Sequence, residues 1–211
     1  MNFVSPSALT GKAAGQYFTP EHVSKSLVDW VVRSPTDLLL DPSCGDGAIL
    51  CHHANSRGIE LDLHAAWVAR ERVPSANIDN IEFFSWAAST DERFDCAAGN
   101  PPFVRYQHFK GITKNAALAI CAAQDVKLSG LSSTWPAFLV ATASLLKTGG
   151  RMAFVVPAEI GHAPYAKSLL DFLVRSFSYV QVIAVRDKLF PRLSEDCWLR
   201  GPSERDLLLK G

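Results

Sequence analysis

No stretch of the 211-residue chain is apolar over the length needed to cross a bilayer, and the N-terminal MNFVSPSALTGK lacks the charged-then-apolar order of a secretory signal. The sequence therefore reads as cytoplasmic, with no membrane partner. It also has no C-x-x-C pair: its five cysteines, Cys44, Cys51, Cys96, Cys121 and Cys197, are odd in number and scattered, which excludes a disulfide framework and a zinc-ribbon type of site. The six histidines show no metal-ligand spacing, so no metal is expected. An excess of either charge is missing too, because 21 basic and 21 acidic residues cancel. A chain-wide electrostatic attraction for nucleic acid is thereby excluded, and any basic surface is local. Internal repeats and low-complexity tracts are absent.

What is present is an alternation of short apolar runs with longer amphipathic segments, the pattern of βα units. Thr19-Pro20 reads as a helix N-cap followed by proline at the first helical position, with Val23, Leu27, Trp30 and Val31 along one face. Strands are expected at Asp37 to Asp41, Gly58 to Leu61, Ile78 to Phe84, Phe94 to Ala98, Arg151 to Val156 and Tyr179 to Val185. Helices fit from about Asp46, from His64 to Arg72, from Trp135 to Leu146 and from Ala163 to Arg175, and Lys147-Thr-Gly-Gly150 reads as a turn. Six strands joined by helices imply a doubly wound α/β fold with a mostly parallel sheet, binding ligands outside the carboxyl ends of its strands.

Two stretches carry chemistry. In Leu38-Leu-Leu-Asp-Pro-Ser-Cys-Gly-Asp-Gly-Ala48, Gly45 and Gly47 fall where a strand turns, so the backbone can approach a ligand closely. Alone, such a loop also fits a plain strand-to-helix turn. A dinucleotide fingerprint would want a small residue where Leu50 stands, and the flanking Asp41 and Asp46 repel a pyrophosphate but suit an ammonium or sulfonium. Glu60, ending the next strand, is placed to accept from two ribose hydroxyls, with Asp62 a competing choice. A nucleoside that carries an amino acid and no phosphate satisfies both features, which is S-adenosylmethionine.

The second stretch is FDCAAGNPPFVRYQ, Phe94 to Gln107. An exocyclic amine on a base is a poor nucleophile because its lone pair is delocalised into the ring. The side-chain oxygen of Asn100 and a prolyl carbonyl can hold both N–H groups and aim the developing lone pair, and Pro101 and Pro102 stiffen these acceptors. Phe103 can stack on the base. Asn-Pro is also a common turn pair, which is the plain structural alternative. From Cys96 to Gln124 no acidic residue occurs, while Arg105, Lys110 and Lys114 are interleaved with Phe103, Tyr106 and Phe109. That composition fits contacts to a flipped nucleotide and its phosphates as well as it fits a solvated loop.

The combination resembles the N6-adenine DNA methyltransferases of restriction-modification systems, in the gamma-class motif order and most like the Eco57I-type enzymes. GQYFTPEHVSKSLVDWV resembles their N-terminal cofactor motif, DPSCGDGA their glycine loop, GIELD their ribose acid, GNPPFVRYQ their catalytic motif, and LLKTGGRMAFVVPAEIGHAPY their middle strand region. KLFPRLSED resembles the segment that supplies a second aromatic for the target base. The resemblance implies a Rossmann-like catalytic domain over residues 19–196 after an arm of residues 1–18, and methyl transfer from S-adenosylmethionine to adenine N6 in DNA. It places Thr19 and Pro20 near the methionine end of the cofactor, with Asp41, Gly45 and Gly47 as its loop and Glu60 on the ribose. Asn100 and Pro101 then hold the target amine, and Phe103 and Phe190 the adenine ring; the basic, aromatic composition beside them makes Arg105, Tyr106 and Lys110 the candidate DNA contacts. The family usually has aspartate near the end of the third strand, where Glu82 is the best match. It also has a final strand and a target-recognition domain, whereas residues 197–211 read CWLRGPSERDLLLKG, with only Leu207-Leu-Leu209 as strand material. Recognition is then expected from a separate domain or subunit. The same amide-proline pocket serves methylation of a glutamine amide or an RNA base, and a catalytically silent truncated fold is the reading from another functional class.

Overall fold

The computed structural model describes residues 19–103, 111–127, 133–157, 160, 166–184 and 196–201. Seven strands form one sheet in the order β3-β2-β1-β4-β5-β7-β6. They are β1 (Leu39–Asp41), β2 (Ser56–Glu60), β3 (Asn77–Asn80), β4 (Phe94–Gly99), β5 (Leu146–Pro157), β6 (Gln181–Ala184) and β7 (Asp196–Gly201). Pairings from β3 through to β5 are parallel, and β7 is inserted antiparallel between β5 and β6. Six α-helices accompany them: α1 (Glu21–Val31), α2 (Leu63–Arg72), α3 (Phe83–Ala87), α4 (Gly111–Ala123), α5 (Trp135–Ser144) and α6 (Ala166–Ser176).

The period of two along each strand explains why the central strands read as continuous apolar runs. Leu39, Cys96, Ala98, Ala153 and Val155 face α1 and α2 with Val23, Leu27, Val31, Ala66 and Ala69. Their neighbours Leu40, Phe94, Ala97, Met152, Phe154 and Val156 face the other way, into a larger core with Phe83, Phe84, Trp135, Phe138, Leu169 and Phe172. A strand covered on both faces has no polar side to alternate. Helix α5 lies wholly inside this second layer, with every residue from Trp135 to Thr142 buried. Among the described residues no helix is long and apolar enough to cross a membrane.

The doubly wound, mostly parallel sheet is as expected, but several local readings are corrected. No α-helix follows the glycine turn; the chain makes consecutive turns and a short 3-10 segment, Leu50–His52. The fourteen-residue stretch between β1 and β2 must return across the sheet, and the 3-10 form rises about 2.0 Å per residue against about 1.5 Å for an α-helix. The expected strand from Ile78 to Phe84 ends at Asn80, and Phe83–Ala87 is helical because Glu82 caps it by accepting from the N–H groups of Phe84 (3.0 Å) and Ser85 (2.8 Å). The residues from Gly111 to Ala123, read as part of a basic loop, form α4, with Ala117 and Cys121 buried one turn apart. Lys147-Thr-Gly-Gly150 belongs to an irregular start of β5, with Gly149 at φ +83°. The sheet also continues past Asp196, since β7 runs through Gly201, so Leu207-Leu-Leu209 is not the only material for the inserted strand.

Gly99, the last residue of β4, is where the sheet meets the site. A Cβ there would stand 2.5 Å from Cε1 of the buried Phe154 ring and 3.3 Å from Cδ of Pro42. Only a bare backbone lets the end of β4 lie this close to the loop after β1. Gly99→Ala is expected to cost about 1–3 kcal/mol of stability by overpacking, measured by urea denaturation; an unchanged midpoint would contradict the close approach.

Candidate active site

Strand β1 ends in a loop whose two glycines serve different purposes. Both have positive φ, +55° at Gly45 and +80° at Gly47. A side chain at Gly45 would meet nothing within 4 Å, so its backbone borders open space, whereas at Gly47 it would press on Ala69 and Val73 at 3.3 Å. Gly45 is the position available for close approach by a ligand; Gly47 lets the turn pack on α2.

Glu60, ending β2, ties this loop down. Its Oε2 accepts from the Gly45 N–H (2.8 Å) and its Oε1 from the Asp62 N–H (2.7 Å). Burial raises its carboxyl above the usual range, opposed by these backbone bonds. Each carboxylate oxygen keeps a second lone pair, so both can still accept from a diol. The competing Asp62 caps α2 by accepting from the Ala65 N–H (2.8 Å), leaving Glu60 as the acid that faces the loop.

The two acids flanking the loop separate as well. Asp46 pairs with Arg72 (2.8 Å) and accepts from the Ala48 N–H (3.2 Å), so it is engaged on the outer side of the loop. Asp41 is 1% exposed and accepts from the Ser43 N–H at 3.1 Å. Burial pushes its carboxyl up to about 8, with Glu60 and Asp46 adding to the rise. A cation placed beside it would pull this value down.

The amide lies on the neighbouring strand. Thr19 does not cap α1, as its sequence position implied; the helix begins after Pro20, whose carbonyl accepts from Val23 and Ser24 (3.0 Å each). The Thr19 hydroxyl instead accepts from Asn100 Nδ2 at 3.4 Å, which turns Oδ1 of the amide away from Thr19. Because Pro101 and Pro102 have no N–H, the segment is held through its carbonyls: Ser43 Oγ donates to that of Asn100 (3.4 Å) and Thr134 Oγ1 to that of Pro102 (3.2 Å). Neither Ser43 nor Thr134 has a sequence signal for this, since each lies tens of residues from its partner. Thr19, Asp41, Ser43, Gly45 and Asn100 line one small cavity of about 30 Å³. Pro101 is buried and Phe103 half-buried, packed on the larger core.

The Glu82 carboxylate is engaged in capping α3, and its Oε2 also accepts from Ser85 Oγ at 2.8 Å. The expected base-stacking Phe190 and DNA contacts Arg105, Tyr106 and Lys110 lie outside the described residues.

A mostly parallel sheet of this order is the fold seen in a solved class I S-adenosylmethionine-dependent methyltransferase from Listeria monocytogenes, which superposes with TM-score 0.68 at 16% identity over 90% of this chain and 62% of that one. Residues 54–190 match the model of the Eco57I restriction-modification methylase family, and residues 5–66 that of N-6 DNA Methylase. The chain belongs to the Eco57I restriction-modification methylase family. It is 25% identical over 187 residues to Type II methyltransferase M.HincII of Haemophilus influenzae, covering 85% of this chain and 35% of that protein. To Type II methyltransferase M.TthHB8I of Thermus thermophilus it is 29% identical over 170 residues, covering 72% and 37%. Among solved structures, the methyltransferase subunit of a type I restriction-modification system from Streptococcus thermophilus superposes with TM-score 0.72 at 19% identity, over 93% of this chain and 46% of that one. The chain spans about a third of the length of the curated Haemophilus relatives it matches.

The raised carboxyl of Asp41 has a measurable sign. A group that titrates higher in the folded than in the unfolded chain contributes stability present below the unfolded value and lost as pH rises through the folded one. The ligand-free chain should therefore lose stability between about pH 4 and about pH 8, and Asp41→Asn should flatten that slope in thermal melts. An identical slope in the variant would show that Asp41 ionises as freely in the folded chain as in the unfolded one.

Proposed function

We propose that residues 19–201, which include the inserted strand β7, form the catalytic unit of an N6-adenine DNA methyltransferase that takes its methyl from S-adenosylmethionine. The observation that carries this is the joining of Thr19, Asp41, Ser43, Gly45 and Asn100 around one cavity, which sets a cofactor-type loop against the amide of an N-P-P-F segment. The residues fit the cofactor in chemistry: a buried acid for an ammonium, a backbone free of side chain at Gly45, and a carboxylate with spare lone pairs for a diol. Thr19 and Pro20 would stand at the methionine end, Asp41 at the ammonium, Gly45 along the backbone, Gly47 behind it and Glu60 at the ribose. Glu82 borders the adenine end through the turn it caps. When bound, the cofactor supplies an electrophilic methyl on a sulfonium.

The chain's own part is to prepare the nucleophile. Asn100 Oδ1 and the Pro101 carbonyl accept the two N–H groups of the target amine and fix its orientation, so the lone pair is directed rather than conjugated. Thr134 holds the carbonyl of Pro102, and that of Pro101, adjacent to Asn100, serves as the prolyl acceptor. Phe103 and Phe190 stack on the ring, and Arg105, Tyr106 and Lys110 meet the flanking strand. Target recognition belongs to a further domain or a partner subunit, a reading supported by the chain's spanning about a third of the length of its Haemophilus relatives.

Calorimetry and methyl transfer test the two halves separately. Glu60→Ala should weaken S-adenosylmethionine binding by about 10–100-fold, the loss of charge-assisted bonds worth about 1.5–3 kcal/mol. Asn100→Ala should leave that affinity nearly unchanged and abolish transfer to DNA, because the amide acts on the transition state. A chain that binds NAD in preference, or an Asn100→Ala variant with unaltered turnover, would refute the respective half. Nucleoside analysis of the product should show N6-methyladenine; methylated protein or RNA with unmethylated DNA would transfer the assignment to a glutamine amide or RNA base. The 211-residue chain alone should methylate duplex DNA slowly and with little sequence preference, and efficient site-specific turnover would contradict the separate placement of recognition.

A further inference from the structure

Building on the assignment of Asn100 to Phe103 as the target-base pocket, we infer that Thr134 is a positioning residue for that pocket, acting through the carbonyl of Pro102. Thr134 is the N-cap of α5, where a threonine hydroxyl ordinarily accepts from the second or third N–H of its own helix. Here it makes no such bond. The second helical residue is Pro136, which has no N–H, and the third N–H, that of Ala137, is taken by Thr134's own carbonyl at 3.1 Å. The helix start thus makes no demand on the hydroxyl, which donates instead to Pro102 O, thirty-two residues away, at 3.2 Å.

The attachment has consequences at both ends. Thr134 is 2% exposed and is continuous with α5, whose residues from Trp135 to Thr142 are all buried, so its hydroxyl is anchored to the rigid core. On the other side, Pro101 and Pro102 have no N–H to donate, so neither can join a backbone ladder through its nitrogen beyond Gly99, where β4 ends. The hydroxyls of Ser43 and Thr134 take the carbonyls at either end, and the acceptor needed for the target amine, Pro101 O, lies between these two attachments. Release of one end lets the acceptors drift from the aligned geometry, to which transfer rates are steeply sensitive.

Thr134→Val, which keeps shape and removes the donor, is the test, with Thr134→Ser as the restoring variant. In the full chain, hydrogen exchange of the Asn100 and Phe103 amides, the N–H groups on either side of the two prolines, should accelerate about tenfold in the valine variant and return to the wild-type rate in the serine variant. S-adenosylmethionine affinity and the melting temperature should be close to wild type in both. Single-turnover transfer to an adenine in a single-stranded loop, where no extrusion is needed, should fall by about 10–100-fold in kcat with little change in KM for Thr134→Val, and recover in Thr134→Ser. Unchanged exchange in Thr134→Val would overturn the attachment, and faster exchange with undiminished transfer would overturn its part in aiming the acceptors. If Asn100→Ala is silent while Thr134→Val transfers normally, only the role of Thr134 fails; if Asn100→Ala also transfers normally, the pocket assignment fails with it.

Discussion

The parallel pairing of β1 with β4 is the constraint on which the rest of the structure depends. Leu39 stands opposite Cys96 and Leu40 opposite Ala97, so both strands deliver their carboxyl ends to the same edge of the sheet. A few residues further on, Ser43 in one loop reaches the carbonyl of Asn100 in the other. Without that adjacency the glycine loop and the amide would be two unrelated turns. Gly99 completes it, because the Phe154 ring and Pro42 occupy the space a side chain would need.

Around this junction polar groups are arranged by what the backbone leaves unsatisfied. Glu60 takes the Gly45 and Asp62 N–H groups and fixes the loop from the β2 side. Asp46 pairs with Arg72, while burial raises the carboxyl of Asp41 well above its usual range. A buried acid without a cationic partner is costly to ionise, and an ammonium at the loop is the kind of group that offsets the cost. The same logic applies at Pro101-Pro102, where missing donors make side-chain hydroxyls from distant elements the means of attachment.

Much of this was readable in the residues, and what was not has identifiable causes. Strands β1, β4 and β5 announce themselves as short apolar runs, and Gly45, Glu60 and Asn100 stand at strand ends because the βα alternation puts them there. The expected strand from Ile78 to Phe84 stops at Asn80: a short apolar stretch has no decisive period, and the cap formed by Glu82 on Phe84 and Ser85 decides for a helix. Helix α4 carried a signal in its alanine-rich run and in Ala117 and Cys121, but the interleaved basic residues upstream drew the whole segment into a loop. Strand β7 depends on pairing with β5 and β6 on both sides, which is a property of the sheet and not of the hexapeptide Asp196 to Gly201. The attachments of Thr19, Ser43 and Thr134 were invisible for the same reason, each joining residues far apart in the chain.

On the proposed function, the loop after β1 and the amide after β4 are one site, across which a single cofactor lies. The most direct measurement is a crystal structure of the chain with S-adenosylmethionine. The ribose diol is expected on Glu60, the amino group towards Asp41, and the methyl facing the space bounded by Asn100 Oδ1 and the Pro101 carbonyl. There an incoming nitrogen would have room at about 3–3.5 Å, the separation of a near-attack geometry. A cofactor bound elsewhere, or one whose methyl points away from Asn100, would contradict it.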